Sequence, residues 1–160
     1  MEFNQRLQKA IDRGHRMGSQ RAKTEAEQAM NEKELTRLHS QYRLQLSDRI
    51  EACLRQLADH FPGFRFETIV SDLGWGAVIS RDDIELQSGR RSNYFSRFEV
   101  VIRPASSYYV LDLAAKATIR NKELFNRSHF EQLTEVDLNS FTELIDLWAL
   151  EYAELYAART

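Results

Sequence analysis

Histidine, cysteine and carboxylate side chains carry most protein chemistry near neutral pH, and this 160-residue chain has few of them in suggestive positions. Its four histidines, His15, His39, His60 and His129, form no HExxH motif and no i,i+4 pair. Histidine serves as acid, base or metal ligand near neutral pH, but none of these four shows a spacing that signals such a role. His39 adjoins an apolar helical stripe, and His60 falls in a last helical turn, where the helix dipole favours a cation. All four therefore read as structural or surface residues. Cys53, the single cysteine, lies on the same stripe, where burial raises a thiol's pKa and makes it a poor nucleophile. Asp82, Asp83 and Glu85 offer the oxygens a hard cation requires, but Arg81 stands beside them and no calcium-loop pattern is present. They read as a solvated turn between strands. Gly74-Trp75-Gly76 has too few glycines for a phosphate loop and fits a tight turn beside a packed tryptophan. The sequence predicts no catalytic residue, no metal site and no cofactor.

Binding chemistry has two weaker candidates. Arg90, Arg91, Arg97 and Arg103 alternate with Tyr94, Phe95 and Phe98, and cations near aromatic rings suit single-stranded nucleic acid. Tyr94 and Phe98 fall on the apolar face, however, and Glu99 sits among the arginines. A solvated sheet face is the expectation, with an acidic partner or nucleic acid as alternatives, and no nucleic-acid binding is expected at physiological ionic strength. Tyr109, Tyr152 and Tyr156 are the polar groups that would line a small-molecule pocket between a sheet and the last helix.

The elements follow from periodicity. Leu35, Leu38, Tyr42, Leu46, Ile50, Cys53, Leu57 and Phe61 recur every three or four residues, an amphipathic helix closed by Phe61-Pro62-Gly63. Upstream, Phe3, Leu7 and Ile11 begin another stripe. The segment Arg13–Arg21 then holds two glycines, each costing about 1 kcal/mol in a helix interior. Over residues 14–30 the long N-terminal helix could therefore break: either a second helix packs on a partner chain here, or the arm frays in the free protein. Two apolar runs hinged at Pro104-Ala105-Ser106-Ser107 alternate with period two, a central hairpin. In the first, Tyr94, Phe98, Val100 and Ile102 share one face. In the second, Tyr109, Leu111, Leu113, Ala115, Ala117 and Ile119 do. Phe64–Val70 and Trp75–Ser80 read as earlier strands, Arg81–Asp83 as a break, and Gln87–Asn93 as an exposed basic turn. Lys122–Leu133 fits either an edge strand or irregular cover. Thr134-x-x-Asp137 matches a capping box before a helix with Leu138, Phe141, Ile145, Trp148, Tyr152 and Leu155 on one stripe.

This order predicts an α+β fold: a long N-terminal helix, an antiparallel meander of four or five strands, and a C-terminal helix packed on one face. Residues 1–62 form a helical arm and amphipathic helix. Residues 63–160 form the sheet and last helix, one globular domain together with the 35–61 helix.

A hydrophobic fraction of 42% and a net charge of −2 suit a soluble protein without a strong pull toward nucleic acid or anionic membrane. No apolar run approaches a membrane span and the N-terminus lacks a signal-peptide core, so a cytoplasmic location is expected. Phe3, Leu7, Ile11, Met17, Met30, Leu35 and Leu38 exceed what one small sheet can cover, so a homodimer, or capture of a protein partner through the N-terminal helices, is the leading expectation. The alternatives are an α+β domain with a ligand pocket or an active site, and a nucleic-acid binder using the basic arm with Arg90 and Arg91.

Overall fold

Helix propensity outweighs the two glycines. The computed structural model describes residues 2–159, apart from the side chains of residues 28–30. In it one unbroken helix, α1, runs from Phe3 to His60. No break interrupts the backbone near residues 14–30. Gln, Arg, Lys, Ala, Glu and Met dominate the sequence around Gly14 and Gly18, and these are strong helix formers. Side chains also bond along the helix, as from Gln8 to Asp12 and from Thr24 to the Gln20 carbonyl. The chain divides into two units, Met1–Arg37 and Leu38–Thr160.

In the first unit every described residue from Glu2 to Glu27 is exposed. The second unit is an α+β body. Five strands, β1 (Arg65–Ser71), β2 (Gly74–Gln87), β3 (Arg90–Ile102), β4 (Val110–Ile119) and β5 (Lys122–Gln132), form an open antiparallel sheet in the order β1-β2-β3-β4-β5. A short 3-10 turn at Leu133–Glu135 leads to α2, Leu138–Arg159.

Register explains the layering. Ile79, Phe98 and Ala117 stand side by side across β2, β3 and β4, as do Ala77, Val100 and Ala115, and all six are buried. Period-two alternation puts them on one face. The body's part of α1 and α2 both cover that face. His39 and Arg43 of α1 meet Arg103 and Trp75 of the sheet, and Arg55 lies over Phe66. From α2, Tyr152 stacks on Phe98 with centroids 4.8 Å apart. Leu46, Ile50, Leu54 and Leu57 supply the α1 side of the core; Phe141, Ile145, Trp148, Tyr152 and Tyr156 supply the α2 side.

Several local readings change. Arg81–Asp83 does not break the chain, because β2 continues through it to Gln87. Its charges find partners instead, Arg81 with Asp83 and Asp82 with Arg65. The basic turn shrinks to Ser88-Gly89, both with positive φ, and Arg90 and Arg91 belong to β3. Lys122–Gln132 is the edge strand, with a register shift after Ala117. The helix starts four residues beyond Thr134: Asp137 caps it, its carboxylate accepting from the Asn139 amide at 3.0 Å. Tyr109, expected in the strand, precedes β4 with φ of 53°. Leu54 rather than Cys53 is fully buried on α1. Gly76 cannot be replaced without moving β3, because a Cβ there would lie 2.0 Å from the Val100 carbonyl oxygen.

Candidate functional site

The residues singled out by sequence fall in separate regions, beginning with the tyrosines. The Tyr152 hydroxyl donates to the Thr118 carbonyl at 3.0 Å, and burial pushes its pKa upward. Tyr156 is buried against Phe61 and Phe64 and borders an open cleft with Arg81, Glu85 and Arg120. Tyr109 stands at the far end of β4 from Thr118, roughly 30 Å away at 3.3 Å per residue. The three hydroxyls do not converge.

The arginines divide. Arg97 is paired with Glu99 at 3.2 Å and Arg103 with Asp112 at 3.1 Å. Arg90 and Arg91 are exposed but adjacent in a strand, so they point to opposite faces. The four form no single basic surface.

Between the body's part of α1 and α2 runs an open groove of about 450 Å³, bordered by Arg49, Cys53, Leu57, Asp146 and Leu150. Arg49 reaches both oxygens of Asp146, at 2.8 and 2.6 Å, and the Cys53 thiol donates to Asp146 Oδ1 at 3.2 Å. Burial first, then the adjoining carboxylate, raises the thiol pKa to about 11. The guanidinium hydrogen bonds hold Asp146 below the ordinary carboxylate value. Such a cysteine is a weak nucleophile, so the arrangement fastens two helices.

A fourth cluster has no signal in the sequence. Glu131 Oε2 accepts from His129 Nε2 at 2.7 Å and from the Ser140 hydroxyl at 2.5 Å, while Oε1 accepts from the Asp137 amide at 2.8 Å. Burial would raise the Glu131 pKa, but these donors outweigh it and keep the carboxylate ionised. The carboxylate lies between serine and histidine, whereas a serine nucleophile needs its histidine as direct partner. The array ties β5 to the start of α2. His39 is buried, with Nε2 donating to the Arg103 carbonyl at 3.1 Å, and burial lowers its pKa. His60 donates from Nδ1 to the Gln56 carbonyl. Among the described residues no group of three or more acidic, His or Cys side chains is arranged to hold a metal ion.

The remaining candidate is the first unit. Phe3 is 77% and Met17 69% exposed, and Leu7 and Ile11 are each 43% exposed. Leu35 is half-buried, as is Leu38 at the start of the second unit; the Met30 side chain lies outside the described residues. No helix among the described residues is long and apolar enough to cross a membrane. No protein-family model matches the chain, and neither the curated proteins nor the solved structures include a significant match.

Proposed function

We propose that the protein is a non-enzymatic assembly module that self-associates, or captures a protein partner, through its N-terminal helix. One observation carries this reading: Phe3, Leu7 and Ile11, spaced four residues apart on α1, are all exposed in the single chain. Large apolar side chains lined up on one helical face usually mark an interface, and the two-fold dimer is the commonest closed assembly. The engagement of Cys53, His39, His129 and the central arginines in internal bonds supports a scaffold role for the body. Light scattering tests the reading. The full chain should have a dimer's mass at tens of micromolar, and a chain starting at Asn31 should dissociate more readily. A full chain that stays monomeric and captures no protein would refute it.

A further inference from the structure

The first unit presents more than three exposed apolar residues. Phe3, Leu7, Ile11, Gly14, Gly18, Ala22 and Glu25 follow one another at intervals of 4-4-3-4-4-3. At about 100° per residue they fall within an arc of about 100°. An 11-residue repeat of this kind lets two helices lie together with a slight right-handed supercoil. All seven residues are exposed, and the space beside Gly14 and Gly18 is open among the described residues. The face is bulky at its start and nearly bare in its middle.

Charge is segregated along the same unit. Residues 3–16 carry Arg6, Lys9, Arg13 and Arg16 against Asp12, a net +3. Residues 24–37 carry Glu25, Glu27, Glu32 and Glu34 against Lys33 and Arg37, a net −2. Parallel pairing of two copies would set like charge against like along the whole unit, with Glu25 facing Glu25 on the contact face. Antiparallel pairing sets the basic end of each copy against the acidic end of the other.

We propose that residues 3–37 pair antiparallel with the same segment of a second copy, across a two-fold axis at Gln20. This rests on the self-association reading above and gives it a partner and an orientation. Gly18 of one copy then lies opposite Ala22 of its partner, and Gly14 opposite Ala26. These small residues let the backbones approach closely at the axis. Ile11 of each copy then lies opposite the partner's Ala29 and Leu7 opposite the partner's Lys33, whose alkyl stem can cover apolar surface, and Glu25 lies beside the partner's His15.

Disulfide trapping separates orientation from assembly. In a full-length Cys53→Ser background, Gly14→Cys and Glu25→Cys are made singly, their masses are measured by light scattering, and they are oxidised alone and mixed. In the antiparallel pair residue 14 of one copy lies within one residue of the partner's residue 25. Two copies of residue 14 are then about 18 Å apart at 1.5 Å per residue, beyond the roughly 7 Å between Cα atoms that a disulfide spans. The expected result is a covalent dimer in the mixture and its loss when either variant is oxidised alone. Dimers in which Gly14→Cys links to itself would overturn the antiparallel arrangement while leaving self-association intact, as would dimers that form no disulfide in any arm. A monomeric mass for the Cys53→Ser parent would overturn self-association and the pairing together.

Discussion

Arg49 grips both carboxylate oxygens of Asp146, so one ion pair fastens the second half of α1 to α2 along the open side of the body. The two side chains are 46% and 36% exposed, and pairs so wetted contribute only about 0.2–1 kcal/mol. Asp146→Asn should therefore lower stability by less than about 1 kcal/mol at pH 7. The carboxyl's folded pKa is depressed from its ordinary 3.8. Its contribution is thus fully present above that value and is lost as pH falls through the folded pKa. Denaturant melts of parent and variant should differ by a constant amount from pH 7 to 5 and converge in stronger acid. Curves that diverge on acidification would contradict the assignment.

Cys53 should resist alkylation. With a pKa of about 11, its thiolate fraction at pH 8 is about one in a thousand. Iodoacetamide labelling followed by mass spectrometry should be far slower than for an unfolded-chain control and should accelerate steeply with pH. Labelling at the control's rate at pH 8 would show that the thiol is not held as described.

His39 predicts a pH dependence of opposite origin to that of an ion-paired histidine. Burial lowers its folded pKa below the ordinary 6.5. The unfolded chain therefore takes up the proton first, and stability falls as pH drops from above 6.5 toward the folded pKa. His39→Gln should flatten this part of the stability profile, measured by denaturant melts from pH 8 to 5. A slope identical in parent and variant would assign the effect elsewhere.

Trp148→Ala probes the stripe that packs α2 on the sheet. The ring is 6% exposed, and truncating so buried a tryptophan costs about 3–5 kcal/mol. At roughly 2–4 °C per kcal/mol for a chain of this size, the melting temperature should fall by about 10 °C. An unchanged melt would mean that α2 is not held by this face.

The elements that were legible in the sequence are those whose apolar spacing is their own. Phe98, Val100 and Ile102, the alternating row from Leu111 to Ile119, and the α2 stripe of Phe141, Ile145, Trp148 and Tyr152 are all buried as their spacing implies. Segments whose conformation depends on distant partners were not legible. Arg81-Asp82-Asp83 resembles a turn until Arg65 and Ser96 lie alongside. β5 places only Phe125 fully in the core, and its Arg127 is drawn to the inner face by Glu151 of α2. In the Glu131 cluster, strand period links only His129 to Glu131; Asp137 and Ser140, six and nine positions on, are joined to it by no helix or strand period. In α1, two glycines masked a helix whose other residues favour it, and in doing so hid the regular face on which they lie.

Self-association through α1 is the central claim, and Leu7→Lys/Ile11→Lys tests it most directly. Both side chains are exposed in the single chain, so the body should melt as before if no dimer forms. Each buried Leu or Ile contributes about 1.5–3 kcal/mol, and the new charges add a desolvation cost. Sedimentation equilibrium should show a dimer for the parent at tens of micromolar and, for the variant, a dissociation constant raised at least about a hundredfold. A parent that sediments as a monomer, or a variant that dimerises as tightly as the parent, would contradict the account.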